Sequence, residues 1–351
     1  MAIVLSEGFG ASTAIADFVT YGLFIAQVAN SINTGGPLGD PYVALGGNRN
    51  YISLRPLATP LSTIYVGARF THGSSVQGGT DTLLTLFSSG GLQQVSISVS
   101  ETNFTSLTVW QGSTGNTSIG TGALNTPLSL SAWTYLEFEV VISTTVGSVT
   151  IRQAGVTVLS LTGLNTAGDA TNLNVANVGF GDANNGTANA GVQVAHVYVT
   201  NSTAPNAGFL GDVRVFSRFP TANSAVQFTP TGLANNYQNA AKVPPVPSTD
   251  YNTDATALAQ DTFSGPSLPS GLGNIFAVGI KSLFQASAAG GRTVGNVLIS
   301  GVTTANGTAV QPPVSPSATY QCDIFNTDPN TSAAWTAADA QATTFGYKIV
   351  S

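Results

Sequence analysis

Residues 133–163 restrict the fold more than any other part of the chain. Thr134, Leu136, Phe138, Val140 and Ile142 fall on one face of an extended segment, and Trp133, Tyr135, Glu137 and Glu139 on the other. After a turn at Gly147-Ser148, Val149, Ile151 and Gln153 alternate with Thr150 and Arg152. Ala154-Gly155 then reverses the chain into residues 156–161, a tight hairpin signal. The block predicts three strands joined by two turns.

The same period recurs along the chain. Strands are predicted at residues 3–5, 48–54, 62–70, 82–88, 94–100, 106–111, 174–180 and 192–200, each bounded by Gly, Ser or Asn. Residues 211–216 are predicted as a closing strand, while the apolar run 14–28 has mixed periodicity. Strands spaced by roughly 8–12 residues with turn residues between them predict a sandwich or barrel. Three prolines within Lys242-Val243-Pro244-Pro245-Val246-Pro247-Ser248 forbid a central strand and mark a linker. The predicted organisation is a first β-domain over 1–240, a Pro-rich linker over 241–248 and a small β-sandwich domain over 249–351. In the last of these, strands are predicted near 275–286, 295–300, 318–325 and 344–350, with a capped helical turn opening at Thr336.

Composition sharpens this. Only 7% of the 351 residues are charged and 42% are hydrophobic, against about 25% charged in ordinary domains. Disordered chains pair low hydrophobicity with high charge, the opposite of what is found. A surface this poor in charge has little electrostatic protection against association, so contact with copies of itself is expected. Net charge is −6 and the ten Lys and Arg are scattered singly, leaving no footprint for nucleic acid. The one cysteine, Cys322, excludes an intrachain disulfide framework and reads as a small buried hydrophobe. No apolar run approaches the ~20 residues of a membrane span. The opening MAIVLSEGFG lacks a basic n-region, so synthesis in the cytoplasm without a signal peptide is expected.

The Trp133 block resembles the laminin-G-like, concanavalin A-like jelly rolls of tailed-phage virion proteins. Three further passages carry the resemblance: Val178-Gly-Phe-Gly181, the run from Ala204 through Phe209-Leu-Gly-Asp-Val-Arg-Val215, and the run from Thr327 through Trp335-Thr336. One departure is Ala195-His196, where relatives often carry an acidic pair. The resemblance implies a concanavalin A-like jelly roll and a non-enzymatic structural protein of a bacteriophage virion: a capsid decoration, head-fibre or tail-fibre component. It also implies a homo-oligomer, with three copies favoured, whose partners are major capsid or tail proteins. The alternative reading is a lectin-like receptor-binding protein for host surface glycan, and behind it a polysaccharide depolymerase.

Glu137 and Glu139 are the foremost catalytic candidates, since their i, i+2 spacing sets both carboxylates beside Trp133 and Tyr135. Glycosidases need two carboxyl groups about 5–9 Å apart, one with a raised pKa. A third carboxylate expected further along such a strand is missing from Val140 to Ser143, so these four residues are read as partner or glycan contacts and no catalytic residue is assigned. His72, His196 and Cys322 lack zinc-ligand spacing. No cofactor is expected; Asp169 and Asp182 with loop carbonyls are a weak calcium candidate, against ordinary Asp turns. His196 is expected to be packed within its strand. Trp110, Trp133 and Trp335 are expected as core or interface anchors.

Overall fold

The structure is a computed structural model that describes residues 2–10, 20, 24–27, 31–45, 51–73, 79–130, 132–181, 191–206 and 208–351. The apolar run 14–28 lies largely outside these, as do residues 48–50 of the strand predicted over 48–54 and Asp182 in the Gly/Asn loop. The chain divides into two compact units, one reaching Phe216 and the other running from Ser217 to Ser351. Residues 217–240, read from the sequence as the end of the first domain, pack in the second unit.

The first unit contains β1 (Ile3–Glu7), β2 (Phe24–Gln27), β3 (Ser31–Asn33), β4 (Tyr42–Leu45), β5 (Tyr51–Leu54), β6 (Thr63–His72), β7 (Thr80–Phe87) and β8 (Gln93–Ser100). It continues with β9 (Ser106–Gln111), β10 (Thr117–Ala123), β11 (Thr134–Val141), β12 (Gly147–Gln153), β13 (Val156–Leu164), β14 (Asn177–Gly181) and β15 (Val192–Thr200). One sheet runs β13-β12-β11-β6-β15-β4-β3, with β1 on the remaining length of β15; the other runs β10-β9-β8-β7-β14-β5-β2. Their inner faces make one core. Leu136, Phe138 and Val140 of β11 and Ile64, Val66, Ala68 and Phe70 of β6 meet Val95, Ile97 and Val99 of β8 and Phe180 of β14, all fully buried. Phe70 spans the layers, its ring 6.1 Å from Phe138 and 6.0 Å from Phe180. This is the antiparallel double layer that period-two patterning requires.

The second unit contains β16 (Ala222–Ala225), β17 (Thr229–Thr231), α1 (Asn236–Ala240), β18 (Tyr251–Thr253), β19 (Gln260–Ser264), β20 (Val278–Phe284), β21 (Val294–Ser300), β22 (Thr303–Asn306), β23 (Thr319–Phe325), α2 (Ala337–Ala342) and β24 (Thr344–Ile349). A five-stranded sheet, β16-β19-β24-β21-β22, is joined by the ribbons β17-β18 and β20-β23. Trp335 is buried with Ile280, Leu298 and Ala340, its indole N–H donating to the Phe325 carbonyl at 2.8 Å. Thr336 caps α2 by accepting from the Asp339 amide at 3.1 Å. The chain is thus all-β: a jelly-roll sandwich followed by a smaller C-terminal β-domain.

Two expectations need correcting. Residues 211–216 form no strand, because Gly211 sits at φ 82° and the amides of Gly211 and Val215 are spent on side chains of the sheet beneath them. Cys322 lies on β23 as expected but is half-buried, on a two-stranded ribbon that leaves one side open.

Candidate functional site

Alternation along β11 sends Tyr135, Glu137 and Glu139 away from the core, yet Tyr135 is 4% exposed and Glu137 fully buried. The cover is the irregular segment 208–216, which lies across the outer face of the sheet. Glu137 Oε1 accepts from the Tyr198 hydroxyl at 2.6 Å and from the Gly211 amide at 2.8 Å. The Leu210 amide donates to the Tyr198 oxygen at 3.1 Å, and the Val215 amide to His196 Nδ1 at 3.3 Å. Asp212 takes a bidentate pair from Arg69, both contacts at 2.9 Å, and Arg214 does the same toward Asp40 at 2.6 and 2.8 Å. Phe209 fits between the Tyr65 ring, edge-on at 5.4 Å, and the Arg152 guanidinium, 4.8 Å from its centroid.

Two backbone features make room for this. A Cβ on Gly67 would stand 2.2 Å from the Tyr198 ring and 2.5 Å from the Tyr135 hydroxyl, so only glycine lets both phenols lie over β6. A bulge in β15 carries the pairing from Ala195–Arg69 to Tyr198–Gly67, with His196 at φ 52°.

Electrostatics set what these groups can do. Burial, then the charge of Glu137, raises the Tyr198 pKa; burial, then the neighbouring phenol and Glu137, raises that of Tyr135. Both phenols therefore stay protonated at neutral pH, and Tyr198 acts as a donor rather than a base. Burial also pushes the His196 pKa down, partly offset by Asp40 3.4 Å from Nε2, so His196 is a neutral acceptor for the Val215 amide.

The four sequence-selected residues are thereby separated in role. Glu137 and Tyr135 sit beneath the covering segment. Glu139 accepts from the Tyr65 hydroxyl at 2.6 Å, and burial together with that contact pushes Tyr65 up to about 12. Trp133 is half-exposed, edge-on to Tyr42 at 5.3 Å. Tyr198, Arg69, Arg152, Asp40 and Gly67 complete the arrangement, and no local pattern in the sequence links them to it.

An open concavity of this unit lies elsewhere. A cleft of about 360 Å³ at the end of β9 and β10 is lined by Gln111, Gly112, Asn116, Thr117 and Gly168, all uncharged. Gln111 is fixed by donating to the Ala167 carbonyl at 2.9 Å, whereas Asn116 and Thr117 are exposed. Trp110, which alternation along β9 sends to the face opposite Gln111, is half-exposed, its indole N–H donating to Ser98 Oγ at 2.8 Å. Below, Asp169 accepts from Ser88 Oγ at 2.6 Å, Asn172 Nδ2 at 2.9 Å and the amides of Thr171 and Asn172 at 3.0 and 3.2 Å. These bonds, led by Ser88, hold its carboxyl below the usual range and occupy the oxygens that a cation would need. Among the described residues no three His, Cys, Asp or Glu group as a metal site.

A buried carboxylate pair closes one end of the sandwich. Asp81 is opposite Val99 in the β7–β8 register, which brings it near Glu101; they are 1% and 0% exposed. Burial, then the Glu101 charge, pushes Asp81 up to about 7, against a weaker downward pull from the Gly191 amide. With the folded pKa above the unfolded one, the folded state holds the extra proton. The associated stability is complete below about pH 4 and is lost as pH rises toward 7. In chelator-treated buffer, Asp81→Asn should flatten this fall by up to roughly 4 kcal/mol. Urea denaturation at pH 4, 5.5 and 7.5 measures it, and parallel pH profiles for the two proteins would refute it.

No family model matches the chain, and neither does any curated protein. Solved structures do. The alginate lyase Aly36B superposes with a TM-score of 0.41 at 11% identity, covering 57% of this chain and 97% of its own. The cellulose-induced protein Cip1 gives 0.39 at 12%, covering 56% and 96%. A Trypanosoma rangeli sialidase in complex with the inhibitor DANA gives 0.33 at 12%, covering 48% of this chain and 26% of its own. Such identities speak to the β-sandwich jelly-roll fold. They also correct the expectation of a non-enzymatic phage virion protein: these neighbours are a lyase, a sialidase and a cellulose-induced protein, and not particle components. The exclusion of enzyme activity is withdrawn with it.

Proposed function

We propose that this chain is a glycan-recognising protein that binds a hydroxyl-rich polysaccharide on its first unit. The observation that carries this reading is the cleft at the end of β9 and β10. Its side chains, Gln111, Asn116 and Thr117, are amides and a hydroxyl, groups that both donate and accept and so match sugar hydroxyls. No charge competes for the site, whose few polar groups can fix the orientation of a bound sugar.

The names of the structural neighbours choose the panel to test: alginate, cello-oligosaccharides and sialylated glycans. Binding is measured by titration calorimetry, and turnover by chromatography of released oligosaccharides. Asn116→Ala combined with Thr117→Ala should weaken binding by tenfold or more, the loss of about 1.4 kcal/mol from two hydrogen-bonding side chains. Both residues are exposed, so the variant should keep the wild-type Tm. Absence of binding across the panel, or unchanged affinity in the double variant, would remove the cleft as a glycan site.

A further inference from the structure

The carboxylate pair at the end of the sandwich has a geometry that its hydrogen bonds do not complete. Asp81 Oδ1 accepts from the Gly191 amide at 3.0 Å, and Glu101 Oε2 from the Gly79 amide at 3.0 Å. The Glu101 amide donates back to the Gly79 carbonyl at 3.0 Å, and the Gly73 amide to the Gly191 carbonyl at 2.8 Å. Both strand ends are thus pinned around the two side chains. Asp81 Oδ2, on a residue only 1% exposed, has no hydrogen-bond partner at all.

An oxygen left bare in that way demands a countercharge or a donor. A proton on Oδ2 removes the charge of one carboxylate and leaves its neighbour without a countercharge. A hard cation answers better, since it takes carboxylate oxygens at about 2.3–2.6 Å and holds them farther apart than a shared proton does. None of the ion pairs formed by Lys, Arg or His among the described residues uses Asp81. An oxygen-only donor set selects a calcium-class ion over zinc or copper.

We infer that Asp81 and Glu101 bind a divalent cation of the calcium class, which ties β7 to the end of β8. This site is separate from the proposed glycan cleft and does not depend on it. The test uses the full chain, stripped with EDTA, dialysed and titrated with CaCl₂ at pH 7.5 while its Tm is followed by calorimetry. At a hundredfold excess over the dissociation constant the Tm should rise by roughly 5–10 °C. Asp81→Asn, which keeps an acceptor for the Gly191 amide, should fold and lose the rise. Asp169→Asn should keep it, because that carboxyl is saturated by its own loop. A Tm that ignores calcium, magnesium and manganese would overturn the inference, as would an equal rise in Asp81→Asn. A circular dichroism spectrum confirms that the variants are folded before the titration is read.

Discussion

Glu137→Ala should cost the first unit about 3–5 kcal/mol, the range seen when one partner of a buried, hydrogen-bonded charge is removed. The substitution strips the acceptor from the Tyr198 hydroxyl and the Gly211 amide together, and takes the counter-ion 3.9 Å from Arg152. Tyr198→Phe should cost less, about 1–2 kcal/mol, since Glu137 keeps the Gly211 amide and the ion pair. The two losses should not add. A double-mutant cycle read by guanidinium denaturation should give a coupling of at least 0.5 kcal/mol, because the groups share one hydrogen bond. Hydrogen exchange localises the effect: the Leu210 and Gly211 amides should lose protection while the β8 amides keep theirs. A Glu137→Ala protein within 1 kcal/mol of wild type would mean that segment 208–216 does not depend on this carboxylate.

The Glu137 environment also shows how far the sequence could be read. Alternation in residues 134–142 put Leu136, Phe138 and Val140 in the core, and they are fully buried. The strand predicted over 192–200 is β15 to the residue. These succeed because period two is a local signal. β10 was missed because Thr117–Ala123 reads as a Gly-rich loop, and its glycines are there for a distant reason. A Cβ on Gly120 would stand 2.2 Å from Leu161, and one on Gly122 would stand 2.8 Å from Leu159, both on β13. Residues 211–216 looked like a strand for the converse reason. Their apolar alternation is real, but Gly211 sits at φ 82° and the amides of Leu210, Gly211 and Val215 go to side chains.

The site was legible only as a cluster, not as an arrangement. Tyr135, Glu137 and Glu139 stand out because spacing along one strand brings them to one face. What fixes their role comes from 61 and 74 residues away, through Tyr198 and Gly211. Asp81 had no signal at all, since its pairing with Glu101 follows from the β7–β8 register and its bare oxygen from the folding of Gly191 onto its other side. The open cleft is built from a β-turn and a loop, Gly112–Asn116 and Gly168, whose residues are the commonest in the chain and so carry no contrast.

The second unit has a comparable dependence on a single carboxylate, which gives the other large expected effect. Asp261 on β19 is fully buried, and accepts from the amides of Gln227 and Phe228 at 2.8 and 3.0 Å and from Asn236 Nδ2 at 2.6 Å. The Tyr347 hydroxyl lies 3.5 Å from the same oxygen as Asn236. One side chain thus ties β19 to the turn before β17, to the start of α1 and to β24. Asp261→Ala should cost about 3–5 kcal/mol, because several buried donors lose their acceptor at once and cannot reach water. Asp261→Asn is the sharper probe. Its carbonyl oxygen can still serve the two amides, but its NH₂ group would then face the NH₂ of Asn236, donor against donor. The Asn variant should therefore recover less than half of the Ala loss, although it is nearly isosteric. Amide exchange at Gln227 and Phe228 should rise strongly in the Ala variant and only modestly in the Asn variant. Full recovery of stability by Asn would show that the negative charge and the Asn236 contact contribute nothing, leaving the two backbone bonds as the whole of Asp261's role.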